Sequence, residues 1–423
     1  MTHLLASSLS RRALVGRLVH GACGVTLLDG LASSVAAAER GGRDVRIVTL
    51  MMRGAMSHID TFDPKPDRPE QGETRPIATA TPGVQFGHHL PLLAARSETL
   101  AVIRSLSTET GAHEQGQYLM RTSYPQLASI RHPALGAWLL HALGRRDGEL
   151  PGYVLVGNGN DHPGSGFLDP ALAPVPVADP RRGLEHTQRP PYLSEKNFER
   201  RMRLADRIDQ EFRETHAGTQ LEAYDQMIKE AKRLLGSVDL KAFDVSSEPE
   251  RVREAYGSGR FGLGCLLARR LVEAGVRCVE VEFDGWDMHR DIYDELPEKA
   301  GELDRGMAAL LDDLADRGLQ RQTLVILATE FGRSPRINDN AGRDHHPAVF
   351  SGVLAGAGIR GGVVHGGSDE RGFAPDHDGV SVGEFNATIA AACGLDPAQE
   401  FVAPNGRPFT IGNGGKPVAA LLA

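Results

Sequence analysis

Cysteine is scarce in this chain, and what the sequence lacks already narrows its class. None of the four cysteines among 423 residues stands in a Cys-x-x-Cys pair, which argues against a disulfide framework and against a structural zinc cluster. No apolar run beyond the N-terminal segment is long enough to cross a bilayer. Basic residues number 47 against 55 acidic ones, and this balance argues against nucleic acid and anionic membranes as partners.

The N-terminal segment has the three parts of an export signal in the right order. Ser10–Val15 reads Ser-Arg-Arg followed by apolar residues, a moderately apolar stretch covers Leu18–Leu31, and small residues fill Ser34–Ala38. The alternative is an amphipathic helix with a chance arginine pair. We predict a twin-arginine signal peptide over residues 1–38 and a periplasmic or extracellular location. Removing this segment takes away three Arg and one Asp, so the net charge falls from −8 to −10.

Buried-strand patterns alternate with helical patterns over the rest of the chain. Strands are predicted at Val45–Met52, Leu100–Arg104, Tyr153–Val156, Val276–Phe283, Thr323–Ala328 and Val349–Ala355. Helices are predicted at Gln115–Met120, Ser194–Leu235, Glu250–Ala274, Leu296–Arg317 and Val382–Cys393. This order predicts an α/β fold with a mostly parallel sheet flanked by helices on both faces. We expect one domain over residues 39–423, with residues 158–250 as a cap or helical insertion.

Metal-ligand residue types follow three of these strands directly. They are His58 and Asp60 after the first, Asp287 and His289 after the fourth, and Glu330, His345 and His346 after the fifth. Ligands of such sheets bind beyond the carboxyl ends of the strands. Carboxylates and imidazoles meeting there suit Zn²⁺, Ca²⁺, Mn²⁺ or Mg²⁺. Helix caps and hydrogen-bonded structural histidines are the alternative interpretation.

A further cluster, Thr110 and His113, follows the second strand and opens a predicted helix. The free N–H groups at such a helix start suit a phosphate or sulfate oxygen, although an ordinary threonine cap explains the pattern equally well. Arg333 and Arg343 flank the proposed ligands and are candidates to clamp an anionic group.

Several longer segments of the chain together carry a family resemblance. They are Ser57–Pro66, Ile103–Leu106, Tyr256–Gly257, Leu267–Val276, Gly285–His289, Glu330–Arg336 and Gly342–Pro347. As a set they resemble the domain of unknown function 1501 family, which is sulfatase-like and a distant member of the alkaline phosphatase superfamily. The resemblance implies an alkaline-phosphatase-like sandwich of helices around one sheet. It also implies strand-end ligands for metals that polarise a phosphate or sulfate ester.

The resemblance assigns roles to individual residues. Asp60 resembles the first-strand metal aspartate, Asp287 and His289 resemble an Asp/His ligand pair, and His345 or His346 resembles the last histidine ligand. Glu330 stands where an Asp is usual. Phe331 stands where a His is usual, so a second metal is either lost or held by His58.

The nucleophile is where the chain departs most from the family pattern. No Cys/Ser-x-Pro-Ser-Arg segment is present, which argues against an ordinary formylglycine sulfatase. His113 falls near the nucleophile position, and Thr110 or Thr108 is the alternative. The leading hypothesis is an exported, metal-dependent hydrolase of phosphate or sulfate esters, acting on a small anionic ester or a sulfated or phosphorylated glycan. The alternative is an exported binding protein that keeps the fold without catalysis.

Overall fold

The structure is a computed structural model, and it describes residues 44–146, 148, 150–159, 161–184, 192–215, 234 and 237–423. The predicted signal peptide over residues 1–38 lies outside the described residues. Among the helices of the described part, none combines the length and the apolar character that spanning a bilayer requires.

The described residues form seventeen strands and eight α-helices, most of them short. The strands are β1 (Arg46–Met52), β2 (Pro76–Ala78), β3 (Gln85–Gly87), β4 (Leu100–Ser107), β5 (Tyr153–Val156), β6 (Val175–Val177), β7 (Cys278–Phe283), β8 (Thr323–Thr329), β9 (Gly332–Ile337), β10 (Arg343–His346), β11 (Phe350–Gly356), β12 (Val363–His365), β13 (Gly367–Ser368), β14 (Pro375–His377), β15 (Val380–Ser381), β16 (Glu400–Val402) and β17 (Pro408–Thr410). The helices are α1 (Pro91–Ala94), α2 (His113–Thr122), α3 (Leu135–Leu143), α4 (Glu195–Thr215), α5 (Glu250–Tyr256), α6 (Arg260–Glu273), α7 (Ile292–Asp316) and α8 (Val382–Ala392).

Nine of the described strands form one mixed sheet, in the order β12-β4-β11-β8-β1-β7-β5-β6 with β15 beside β4. Strand β11 is antiparallel to both of its neighbours, and every other pairing in the sheet is parallel. The chain between β8 and β11 forms only the β9–β10 hairpin, so β11 starts at the edge where β8 ends and runs back. The prediction of a mostly parallel sheet is confirmed.

Both faces of the sheet are covered, which explains why β1 is apolar at every position except Arg46 and Thr49. Val48, Leu50 and Met52 point into one core, which contains the apolar side chains of α6 and α7. Ile47 and Met51 point into the other, which contains those of α3 and α8. Alternate residues of a strand face opposite sides, so a sheet with helices on both faces needs apolar residues at every position. The prediction of helices on both faces is confirmed.

The structure departs from the predicted elements in two places. The single helix predicted over Glu250–Ala274 is two helices, α5 and α6, because Gly257 adopts a φ of +87° and ends the first. Within the cap or helical insertion predicted at residues 158–250, β6 joins the sheet as its edge strand beside β5. The sequence pattern did not predict this strand because it contains Pro176, and within a sheet proline is tolerated mainly in edge strands such as this one.

Helix α2 is fixed to the sheet by buried charges in β7. Arg121 donates from Nε to Glu280 Oε1 at 2.8 Å and from Nη2 to Glu282 Oε1 at 2.9 Å. The Tyr153 hydroxyl donates to Glu280 Oε2 at 2.8 Å. Burial acts to raise the pKa of Glu280, but the charges of Arg121 and His162 outweigh it and hold that pKa far below its ordinary value. These contacts place the first turn of α2 above the carboxyl ends of the strands.

Replacing Glu280 tests this attachment. We expect Glu280→Gln to lower the free energy of unfolding at pH 7 by ~3–5 kcal/mol, since it leaves the buried Arg121 charge only partly compensated. A carboxylate with a lowered folded pKa stabilises the fold above its unfolded pKa of about 4.3, and this contribution is lost as the pH falls below that value. The difference between variant and wild type should therefore shrink between pH 5 and roughly pH 3.5.

Urea unfolding at several pH values measures this difference. Glu298→Gln, at an exposed position of α7, is the matched control and should change stability by less than ~0.5 kcal/mol. A Glu280→Gln variant as stable as this control at pH 7 would contradict the attachment.

Candidate metal centre

Four side chains from three separate segments meet above the carboxyl edge of the sheet. They are His113 at the start of α2, Asp287 and His289 after β7, and His345 in β10; we call them the donor cluster. The Asp287 Oδ1 atom lies 3.3 Å from the Nε2 of His113, 3.0 Å from that of His289 and 3.3 Å from that of His345. The Nε2 atoms of His289 and His345 are 2.9 Å apart.

Each imidazole of the donor cluster has an acceptor against its other ring nitrogen. The Nδ1 partners are Glu330 Oε1 at 2.7 Å for His113, Asp344 Oδ1 at 3.0 Å for His289 and the Gly111 carbonyl at 2.6 Å for His345. Carboxylates and carbonyls only accept, so every Nδ1 carries a proton and donates it. This arrangement directs three Nε2 atoms at one carboxylate oxygen, and it is how proteins orient histidines that bind metals.

The spacing of the donor atoms fits a metal ion. A tetrahedral ion with ligands at ~2.0–2.1 Å needs donor atoms roughly 3.3 Å apart. The spacings from Asp287 Oδ1 are 3.0 to 3.3 Å, and the donor atoms of His113, Asp287 and His345 all lie within 4.8 Å of one another. Two Nε2 atoms 2.9 Å apart, both on rings protonated at Nδ1, repel each other unless a cation lies between them or one ring carries a second proton. The residues therefore fit a cation.

The charges around the donor cluster point the same way. Burial acts to raise the pKa of Asp287, but the hydrogen bond and the charge of Arg333 outweigh it and lower this pKa. Burial also acts to raise the pKa of Glu330, and the hydrogen bond with His113 outweighs it and lowers that pKa. Hydrogen bonding to Glu330 in turn raises the pKa of His113. Both carboxylates are thus ionised at neutral pH, and the cluster attracts positive charge.

Arg333 is buried beneath the donor cluster and donates four of its five N–H groups to oxygen atoms of the protein, while the fifth faces His289. Its Nε donates to the Ala55 carbonyl at 3.0 Å, and Nη1 donates to the Arg343 carbonyl at 3.0 Å and lies 3.3 Å from His289 Nε2. Its Nη2 donates to Asp287 Oδ1 and to the Gly54 carbonyl. Five donors are all that a guanidinium has.

Glu330 was predicted to bind metal and His113 to act in catalysis, and the structure gives them different positions. Glu330 is fully buried and lies behind His113, where its Oε1 also accepts from the Gly54 N–H at 2.8 Å. The His113 ring is the group that faces Asp287. Gly54 also lies against the backbone of the segment after β7, and only a residue without a side chain fits there. A Cβ atom on Gly54 would lie 2.5 Å from the Asp287 nitrogen.

Asp60 and Arg343 form a fully buried pair away from the donor cluster. Arg343 donates from Nε to Asp60 Oδ2 at 2.6 Å and from Nη2 to Oδ1 at 3.3 Å. The hydroxyls of Ser57 and Thr74 donate to the same carboxylate at 2.5 and 2.7 Å. With its oxygens engaged in this way, the Asp60 carboxylate is not brought together with Asp287, and Arg343 is not directed at the cluster.

The other predicted residues also lie outside the donor cluster. His58 Nε2 donates to the Gly372 carbonyl at 2.9 Å, and burial lowers the pKa of His58 to about 4. His346 Nε2 donates to the Phe373 carbonyl at 2.7 Å, because successive strand residues face opposite sides and only His345 reaches the cluster. The Thr110 hydroxyl donates to Gln115 Oε1 at 3.1 Å.

Two residues of the site were missed as functional positions. Asp344, which anchors His289, precedes the two predicted histidines directly, but its sequence position does not show which neighbour it contacts. The Gly111 carbonyl, which anchors His345, leaves no signal because every residue has a carbonyl. Phe331, where a histidine was expected, is fully buried and packs at 4.9 Å between ring centres against both His113 and His345.

Known proteins resemble the chain at the level of family and backbone. A family model described as "Protein of unknown function (DUF1501)" matches residues 44–422. None of the curated proteins matches the sequence. A crystal structure of Ps i-CgsB is 10% identical, covers 88% of this chain and 75% of its own, and has a TM-score of 0.43.

Two further solved structures are similar to the chain. The PsFucS1 sulfatase from Pseudoalteromonas sp. is 12% identical, with 88% of this chain and 72% of its own covered and a TM-score of 0.36. The soluble domain of lipooligosaccharide phosphoethanolamine transferase A from Neisseria meningitidis is 11% identical, with 82% and 88% covered and a TM-score of 0.30. At scores this low we base the site on the geometry of this chain alone.

Substituting Asp60 separates a structural role from a metal-binding one. We expect Asp60→Asn to lower the free energy of unfolding by ~3–5 kcal/mol, because the buried Arg343 loses its counter-charge. Zn²⁺ bound per folded molecule, measured by mass spectrometry under native conditions, should stay at the wild-type value. Asp376→Asn, on the exposed strand β14, is the control and should change neither quantity. Loss of Zn²⁺ from folded Asp60→Asn would restore Asp60 as a ligand.

Proposed function

We propose that this chain, which belongs to the DUF1501 family, is an exported, metal-dependent hydrolase of phosphate or sulfate esters. The observation that carries the proposal is the convergence of three anchored imidazoles on the Asp287 carboxylate oxygen. Export rests on the predicted signal in residues 1–38. The substrate is a small anionic ester or the esterified group of a sulfated or phosphorylated glycan.

We assign the metal to His113, Asp287 and His345. Nitrogen donors with one carboxylate favour Zn²⁺, with Mn²⁺ next, over Ca²⁺ and Mg²⁺, which prefer oxygen alone. Three protein ligands and one open position are the arrangement of catalytic zinc sites. The bound ion would act as a Lewis acid on an oxygen of the ester.

His289 is the proposed proton acceptor. Its side chain is 41% exposed, and its Nδ1 bonds to the exposed carboxylate of Asp344. In this assignment Nε2 takes a proton from the attacking water while Asp344 stabilises the imidazolium that forms, as a carboxylate does behind a histidine base. The water oxygen would bond to phosphorus or sulfur as the bond from that atom to the alcohol oxygen breaks; the alcohol would leave as an alkoxide that takes a proton from solvent, and His289 would return its proton to solvent.

Glu330, Arg333 and Phe331 hold this arrangement in place. Glu330 keeps the proton on His113 Nδ1 and fixes the ring. Arg333 donates four N–H groups to oxygen atoms of the protein and the fifth faces His289, so we propose that it positions Asp287 and does not clamp the ester. Phe331 packs against two imidazoles and excludes water from that side.

One observation favours the alternative, a binding protein without catalysis. Of the predicted nucleophiles, Thr110 uses its hydroxyl on Gln115, and His113 faces Asp287 as a ligand. If His289 is a fourth ligand instead of a base, the ion has four protein ligands and no open position, as in structural zinc sites. The role of His289 therefore separates the two functions.

Two histidine variants distinguish these functions. We expect the wild type to bind one Zn²⁺ and to hydrolyse aryl phosphate or aryl sulfate esters. His345→Ala should lose at least ~100-fold in Zn²⁺ affinity together with activity, because a direct ligand is removed. His289→Ala should keep Zn²⁺ and lose ~10²–10⁴-fold in kcat, as expected for a proton acceptor. Isothermal titration calorimetry and chromogenic assays measure the two quantities.

The matched control is His377→Ala, on the exposed strand β14, which should change neither affinity nor turnover. Loss of Zn²⁺ in His289→Ala, combined with a wild type that turns over no ester, would favour the binding protein. A wild type that binds no divalent ion would contradict the hydrolase.

Glu330 provides a test of positioning. We expect Glu330→Gln to weaken Zn²⁺ binding ~10–100-fold, since the buried acceptor that orients His113 loses its charge. Glu330→Asp should restore part of the affinity, and Glu298→Gln should leave it unchanged. Equal Zn²⁺ affinity in Glu330→Gln and the wild type would show that His113 does not need this anchor.

A further inference from the structure

A groove of about 1020 Å³ lies beside the donor cluster and is not used by the proposed chemistry. It runs between the loop that precedes α2, the start of α8 and the glycine-rich segment at residues 412–416. This volume is at the upper end of the ~300–1,000 Å³ typical of small-molecule sites.

The loop between β4 and α2 is a wall shared by the groove and the donor cluster. Thr108 and Thr110 line the groove. The next residue, Gly111, holds His345 through its carbonyl, and His113 belongs to the cluster. A ligand lying in the groove along this loop therefore has one end close to the cluster.

The groove is lined by groups that bind hydroxyls. Side-chain hydroxyls and amides come from both walls, including Thr108, Thr110, Gln126 and Asn413. None of the described lining residues is aromatic, which leaves hydrogen bonding as the main means of recognition.

The charges of the groove exclude a densely anionic ligand. Glu109 and Glu384 face it against the single cation Lys416. The start of α8 would attract anions, but the Glu384 carboxylate already accepts from the N–H and hydroxyl of Ser381 at 2.9 and 2.8 Å. An additional sulfate or phosphate there would meet net negative charge.

We propose that this groove binds an uncharged, hydroxyl-rich chain, a neutral oligosaccharide, which forms the alcohol portion of the ester. This inference specifies the alcohol portion of the proposed substrate. It rests on the proposed function only for which end of the ligand lies nearest the donor cluster. The esterified sugar would be the one nearest the donor cluster, and the sugars in the groove would carry no sulfate or phosphate.

Binding to metal-free protein tests the groove without requiring turnover. The probes are cello-, malto-, laminari- and agarohexaose together with hexaoses sulfated on every sugar, followed by calorimetry or by saturation-transfer NMR. Gln126→Trp places bulk in the groove, and Gln399→Trp is its control at an exposed position elsewhere. Glu109→Lys reverses a groove charge, and Glu298→Lys is its control. Circular dichroism confirms that each variant is folded.

We expect at least one neutral hexaose to bind the wild type, with affinity lost at least 10-fold in Gln126→Trp and unchanged in Gln399→Trp. The sulfated hexaoses should bind more weakly than the neutral ones, and Glu109→Lys should strengthen their binding at least threefold, unlike Glu298→Lys. Absence of neutral binding, stronger binding of the sulfated probes, or an unaffected Gln126→Trp would each overturn the proposal. No ester is hydrolysed in these measurements. A protein without hydrolase activity could still bind neutral hexaoses in the groove, so the two proposals can fail separately.

Discussion

The buried guanidinium of Arg333 joins chain segments that are far apart in sequence. It donates to carbonyls of Gly54 and Ala55 after β1, to Asp287 after β7 and to the Arg343 carbonyl in β10. Burying a guanidinium charge without hydrogen-bond partners costs free energy. The buried Arg333 therefore requires these segments to stay together. The donor cluster depends on Arg333. Asp287 and His289 belong to a segment that Arg333 binds, and His345 lies opposite Arg333 in the β9–β10 hairpin.

The part of the site that could be predicted from the sequence is the part that topology dictates. Parallel strands end at the same edge, so the segments that follow β7 and β8 reach the same part of the sheet. Asp287, His289 and His345 are therefore neighbours, as expected. The prediction of the family was confirmed because it depends on long matching segments. The prediction of a mostly parallel, two-sided sheet was confirmed because it depends on buried apolar periodicity.

The roles within the site could not be predicted, because they are decided by which side chain meets which in three dimensions. A carboxylate after a strand is equally suited to a metal and to a guanidinium, and Asp60 meets Arg343. Glu330 and His113 are 217 positions apart, and no spacing rule shows that one stands behind the other. The choice between His345 and His346 required the register of the β9–β10 hairpin, which loop residues do not reveal.

Phe331 has a consequence for the range of alcohols that such a site can release. Its ring packs against both His113 and His345, where a histidine would have offered a further ligand, and the described residues contain a single group of side chains placed to hold an ion. Two-ion sites stabilise the attacking and the departing oxygen at once. A one-ion site leaves the departing oxygen to be neutralised by a proton or by its own acidity. Esters of acidic alcohols would then be cleaved faster than esters of ordinary ones, so the rate of hydrolysis would depend on the pKa of the leaving alcohol.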